Sequence, residues 1–203
     1  MDLDEVLARS RQLGFLGPGP VADQIVHADR YRLALAGLAD LSDSGRRTNV
    51  VDLGAGGGVP SLPLLVADPD LSLVLVDSSQ RRMAFCLWAM VELGVDDRAE
   101  VWTGRAEDFG RDETRRGHHD AVIARSFGPP AVTIECAAPL LRVGGRCVIS
   151  EPPQERAWPA GPLAQVGLVQ IEGGDGVAVF EQTSEVGPEF PRSGKRQRRQ
   201  PLF

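Results

Sequence analysis

No run in the 203-residue sequence approaches the roughly 20 consecutive apolar residues that a membrane helix needs, so a membrane-spanning protein is not expected. Cysteine is scarce. Cys86, Cys136 and Cys147 are odd in number, unclustered and set among apolar neighbours, which argues against a disulfide framework and reads as reduced core thiols. His118 and His119 are adjacent at a strand start, so their side chains point to opposite sides, and no third ligand lies near in sequence. No metal is expected. The opening MDLDEVLARSRQ is acidic and amphipathic and lacks a basic segment followed by an apolar one, so no secretory leader is expected and the cytoplasm is the expected location.

What is present is the texture of one α/β core. Apolar residues make up 42% of the chain and charged residues 25%, as in soluble globular domains. Helical spacing covers 2–13 and 21–40, separated by the breaker-rich GFLGPGP. From residue 49 short apolar runs alternate with helical segments: NVVDL (49–53), LSLVLVD (71–77), AEVWT (99–103), DAVIAR (120–125) and RCVIS (146–150) read as buried strands. SSQRRMAFCLWAMVELG (78–94) and PPAVTIECAAPLL (129–141) read as helices between them. This alternation predicts a doubly wound parallel sheet with helices on both faces. The pattern then changes, because GLVQIEGGDGVAVFEQTSE holds two β-like runs around a glycine-rich turn. An antiparallel hairpin should close the sheet. Methyltransferases that use S-adenosylmethionine commonly end in such a reversed strand, so the expected fold class is a Rossmann-like class I methyltransferase sheet with an N-terminal helical extension. The expected divisions are 1–45, 46–190 and a basic tail, 191–203.

The stretch VVDLGAGGGVPSLPL carries the first chemical signal. Asp52 and Leu53 end a strand, and Gly54-Ala55-Gly56-Gly57-Gly58 follows where open α/β sheets bind ligands. Glycine there permits positive φ and close approach of a ligand to the backbone. A dinucleotide fingerprint would need glycine or alanine at position 59, which is Val59. Pro60 and Pro63 also remove amide donors from the start of the following helix, which weakens a pyrophosphate site. A ligand without phosphate, such as S-adenosylmethionine, fits better. Asp77 ends the second strand, 19 residues after Gly58, where a carboxylate can accept both hydrogens of a ribose diol or, alternatively, cap the next helix. GRAEDF (104–109) adds an acidic turn beside the expected adenine pocket.

Read in order, DLGAGGGVPSLPL, LVDSSQRRMAF, GRAEDF, ARSFGPP, PLLRVGG and FPRSGKRQRRQPL resemble the motifs of the GidB/RsmG family, which methylates guanine N7 in bacterial small-subunit ribosomal RNA. The resemblance runs from about residue 20 to the end. It implies cofactor contacts at Gly54, Val59, Ala106, Glu107 and Arg125, and a substrate-side role for His27. Gly56, Gly58, Asp52 and Asp77 complete the expected cofactor set. The family's Asn-Leu-Thr signature has no counterpart in GFLGPGP, and its His-x-x-Asp-Ser element keeps only His27, with Arg30 and Tyr31 in the later positions. Where the family commonly has Lys-Gly after the fifth strand, this chain has Glu151-Pro152.

Guanine N7 has a lone pair and no proton, so its methylation needs orientation and no general base. That agrees with a chain offering no nucleophile and base pair. Phe127, after the fourth strand, is the candidate for stacking on an unstacked base. It has the alternative reading of a core aromatic under a loop. Arg125 is the candidate positioning residue. Arg192, Lys195, Arg196, Arg198 and Arg199 place five positive charges and no acid in the last twelve residues, which reads either as the concentrated signal for RNA in a chain of net charge -6 or as a solvated disordered tail. The expected partners are ribosomal RNA or the small ribosomal subunit, met by a monomer. A methyltransferase of a small molecule or of another RNA, and a non-catalytic RNA- or ribosome-binding paralogue, are the open alternatives.

Overall fold

The five buried runs become β1 (Thr48–Leu53), β2 (Leu71–Asp77), β3 (Ala99–Thr103), β4 (His119–Ala124) and β5 (Leu141–Ser150) in a computed structural model that describes residues 1–36, 38, 46–154, 156–174 and 176–203. The hairpin signal becomes β6 (Leu168–Gly174) and β7 (Val177–Gln182). The sheet order is β3-β2-β1-β4-β5-β7-β6, with β7 antiparallel to both of its neighbours and the other pairings parallel. Strand order reverses between β1 and β4, so their carboxyl ends flank the crevice where such sheets bind ligands. Asp52 lies opposite Ile123 and Leu53 opposite Ala124 there, which brings the glycine loop beside Arg125–Phe127.

Near-continuous apolar strands arise because both faces of the sheet are covered. Successive side chains alternate faces. Val50, Leu73, Leu75, Ala121 and Ile123 therefore meet α1 (Leu3–Gln12), α2 (Val21–Leu35), α3 (Ser61–Ala67) and α4 (Gln80–Leu93). Val51, Leu53, Val74, Val76 and Val122 meet α5 (Ala106–Phe109), α6 (Pro130–Ala137) and α7 (Ala160–Gln165). The N-terminal helices pack into the main core through Val6, Leu7, Tyr31 and Leu35. Asp2 and Glu5 form a capping box that starts α1. Ser79 caps α4, and Gly94 in left-handed conformation, φ 65°, ends it.

Three boundaries differ from expectation. The helix expected over 21–40 ends at Leu35, where Ala36 leaves helical conformation with ψ 140°. The helix expected over 129–141 ends at Ala137 and passes through a 3-10 turn at Ala138–Leu140, because Pro139 cannot continue the ladder. β5 then begins at Leu141, five residues before the expected start. The pairing of β4 with β5 shifts register between His119 and Ala121, and a Cβ on Gly145 would lie 3.0 Å from the Asp120 carbonyl. A local irregularity with glycine at its tight point hid the early part of this strand. Positions 37 and 39–40 of the expected second helix, residues 41–45 at the expected edge of the N-terminal extension, and position 175 of the expected hairpin turn lie outside the described residues.

The basic tail is folded. Ser193 caps α8 (Gly194–Arg199), whose Gln197 is buried and donates to Cys136 Sγ at 3.5 Å. Arg192 is clamped by buried Glu135, whose Oε1 accepts from its backbone N–H at 2.7 Å and its Nε at 2.8 Å, while Oε2 accepts from Nη2 at 2.6 Å. Cys86, Cys136 and Cys147 are buried and free. Burial raises all three thiols, that of Cys136 to about 12. Among the described residues no helix is long and apolar enough to cross a membrane.

Candidate functional site

The site begins where β1 runs out. Gly54 and Ala55 donate to the Val76 carbonyl at 2.8 and 3.1 Å, which turns the chain over the end of β2. Gly54, Gly56 and Gly58 have φ of 76°, 54° and 88°, the left-handed region where a side chain is strained. Their neighbours correct the reading of every glycine as room for a ligand. A Cβ on Gly58 would lie 2.5 Å from Leu62 Cδ1, and one on Gly57 would lie 2.5 Å from Ser10 Oγ and 2.8 Å from the Phe15 carbonyl. Protein atoms close these two positions, since α1 and α3 press on the loop. At Gly54 the nearest atom is Phe127 Cδ2, 2.8 Å away, whereas Gly56 meets nothing nearer than the Gly54 carbonyl at 3.5 Å. Pro60 and Pro63 sit at the cap and first turn of α3, where amide donors have no helical partner.

Asp77 ties the loop to β2. Its Oδ2 accepts from Gly56 N–H at 3.1 Å and its Oδ1 from Ser79 N–H at 2.8 Å. Arg82 Nη1 stands 3.8 Å from Oδ2, and acceptor capacity remains on both oxygens. Beside it opens a cavity of about 390 Å³ lined by Gly54, Val76, Asp77, Ala106, Glu107 and Phe127. Gly194, Gln197 and Arg198 of α8 form part of its wall. Asp52, below the loop, accepts from Ser61 Oγ at 2.6 Å, and its Oδ1 is buried without a partner among the described residues. Burial pushes this carboxyl up to about 7, with the Ser61 hydrogen bond opposing and the Asp77 charge adding.

A second cavity, of about 260 Å³, lies on the other side of Phe127 and is lined by His27, Arg125, Phe127, Ser150, Glu151 and Arg156. Ser126, Phe127 and Gly128 border both. Ser126 adopts a positive φ of 52°, uncommon without glycine, which sets Phe127 over Gly54. Arg125 Nη2 donates to Gln24 Oε1, and Tyr31 Oη donates to the Ala124 carbonyl at 3.0 Å. Burial lowers Arg125, while Tyr31 and Asp52 pull it upward. Burial, then the Arg125 and Arg30 charges, pushes His27 down to about 4, so its imidazole is neutral near pH 7.

Gly54, Asp77, Ala106 and Glu107 of the expected cofactor set therefore meet at the first cavity, with Gly56 tied in through Asp77. Arg125 and His27 meet at the second. Val59 is packed in the core, Asp52 is buried beneath the loop, Gly58 is closed by Leu62, and none of the three is among the residues lining either cavity. Of the basic tail, Arg192 is committed inward to Glu135, Arg198 borders the first cavity, and Lys195, Arg196 and Arg199 are exposed. Sequence reasoning did not find Gln24, Tyr31, Glu135 or Gln197. Gln24, His27 and Tyr31 share a helix face at i, i+3 and i+7, a signal that was available. A larger depression of about 1120 Å³ opens at the other edge, where the strands begin. Its charges pair with one another, as in Arg47–Asp97 at 3.2 Å and Arg115–Glu100 at 2.7 Å. Among the described residues no group of three or more His, Cys, Asp or Glu could hold a metal ion.

The family model GidB, described as rRNA small subunit methyltransferase G, matches residues 32–155. A ribosomal RNA small subunit methyltransferase G from Streptococcus pyogenes serotype M3 is 31% identical over 165 residues, covering 75% of this chain and 69% of the relative. Among solved structures, cofactor-bound Rv0187 from MTB aligns with a TM-score of 0.61 at 20% identity, over 90% of each chain. A methyltransferase from Geobacter sulfurreducens aligns with a TM-score of 0.59 at 15% identity, over 91% of each. These two establish likeness of fold.

Proposed function

The chain belongs to the GidB family of small-subunit rRNA methyltransferases, and from that premise we propose that it methylates N7 of a guanine in small-subunit ribosomal RNA with S-adenosylmethionine as donor. The observation that carries this reading is the pair of cavities meeting at Phe127, one lined by Asp77, Ala106 and Glu107 and the other by Arg125 and His27. When bound, S-adenosylmethionine supplies an electrophilic methyl carbon on a sulfonium. The Asp77 carboxylate would accept the ribose hydroxyls with the acceptor capacity that Gly56 and Ser79 leave open. Val76, Ala106 and Val132 offer an apolar slot for the adenine. Phe127 presents a ring on which a guanine can stack, at the border where its N7 would face the first cavity.

Asp77, Ala106 and Glu107 would hold the donor, whose methyl carbon would be taken up by the N7 lone pair with the electrons of the broken carbon–sulfur bond left on sulfur. No proton leaves the base, so no general base is required. The protein's work is orientation, which is worth up to roughly 7–11 kcal/mol. Arg125, held by Gln24 at the border, is the positioning residue. Neutral His27 adds a hydrogen-bonding wall without another positive charge. Lys195, Arg196 and Arg199, exposed beside the first cavity, contact phosphates of the RNA. The test is incubation with labelled S-adenosylmethionine and small-subunit RNA or subunits, followed by mass spectrometry of the nucleosides. Incorporation as 7-methylguanosine at one position is expected, and label confined to small molecules or to another base overturns the reading.

A further inference from the structure

Glu151, just after β5, puts a carboxylate in the lining of the second cavity. We propose that Glu151 recognises the guanine by accepting hydrogen bonds from its N1–H and its 2-amino group. The inference rests on the guanine-N7 reading and adds a specificity-determining residue to it.

Strand order carries the argument. The first cavity lies over β1 and β2, the border residues 125–128 follow β4, and Glu151 follows β5, the next strand outward. The Watson–Crick edge lies next to the N7 edge of a purine, with N1–H about a right angle round the ring from N7 and the 2-amino group farther round. A guanine stacked on Phe127 with N7 toward the first cavity can therefore turn its 2-amino group, with N1–H beside it, toward the β5 side. Those two groups are donors, and a carboxylate is an acceptor with two oxygens at matching separation. A lysine at that place would present donors to donors.

The position of Glu151 is built. Its backbone N–H donates to the Gly176 carbonyl at 2.7 Å, which anchors the residue to the start of β7. Its Oε1 accepts from Trp158 Nε1 at 3.0 Å. Trp158 packs edge-on against buried Phe180, with ring centroids 4.7 Å apart. One donor leaves acceptor capacity on both oxygens. Arg125 and Arg156 line the same cavity and offset the added negative charge toward RNA. The carboxylate also acts as the reaction proceeds. Methylation at N7 leaves the purine positively charged, so its N1–H becomes a stronger donor and the bond to Glu151 strengthens in the transition state.

The experiment compares wild type, Glu151→Gln and Glu151→Ala on the RNA whose modified guanine has been located by mass spectrometry. A second RNA carries inosine at that position, which retains N7 and N1–H and lacks the 2-amino group. Wild type should methylate the guanosine RNA roughly 10-fold more efficiently than the inosine RNA. Glu151→Ala should fall at least about 10-fold on guanosine and lose the discrimination, with cofactor affinity within about 2-fold of wild type. Glu151→Gln retains an acceptor for Trp158 and should lose mainly kcat. The inference is overturned if both variants keep the wild-type preference for guanosine over inosine, or if wild type has none. Wild-type protein that modifies no guanine overturns the guanine reading itself, and this inference with it.

Discussion

The two cavities that meet at Phe127 differ in material: the first is framed by strand ends, glycine backbone and one acid tied to two amides, the second by long side chains that reach one another across the fold. Asp77 is held by residues 21 or fewer positions away, whereas Arg125 is held by Gln24, 101 positions away. The backbone parts of the first cavity change little when single side chains change, whereas the second can be altered one residue at a time.

The comparison breaks most severely through the wall that joins the tail to the first cavity. Glu135→Ala leaves the half-buried Arg192 without its partner, which should cost about 3–5 kcal/mol in urea unfolding. It should also weaken cofactor binding, because Gln197 and Arg198 line that cavity. Unchanged cofactor affinity at restored stability would separate the tail from the cavity. Asp77→Ala should weaken cofactor binding by about 100-fold in calorimetry, since the ribose acceptor and the Gly56 tie are lost together. Arg125→Ala should do the reverse, lowering kcat/KM for RNA by about 10-fold to 100-fold while cofactor affinity stays within about 3-fold. Loss of cofactor binding in that variant would merge the two cavities into one. The smallest effect is that of Asp52. Its folded pKa of about 7 lies above the ordinary 3.8, so the folded state holds the proton through that window and stability falls as pH rises across it. Between about pH 5.5 and about pH 8 the fall should be roughly 2 kcal/mol, and Asp52→Asn should flatten it.

Legibility in the sequence followed the same division. The parallel strands, the closing hairpin, the glycine loop, Asp77 and GRAEDF were readable because each rests on local pattern: apolar runs, breakers, and acids at strand ends. The early part of β5 was not, because Pro139 and the glycines at 144 and 145 interrupt the local signal while pairing to β4 supplies the strand. The meaning of the loop glycines was half readable. Positive φ at Gly54, Gly56 and Gly58 follows from composition, but the crowding of Gly57 by Ser10 and Phe15 required the helices from the start of the chain. The tail was readable as charge and not as structure. Nothing near Arg192 in sequence announces Glu135, 57 positions away.

By itself the sequence determined the order and direction of the elements, the carboxyl-end location of the loop and the kind of ligand that loop suits, because these depend on periodicity and on backbone donors present or absent within a few residues. Tertiary structure decided which charges serve the site and which serve the fold. It turned Arg192 inward and left Arg196 outward, and it put Phe127 between two cavities. It also set Glu151 in the wall of the second cavity. A charged side chain gains its role from the partner and the burial it meets, and both come from segments distant in the chain.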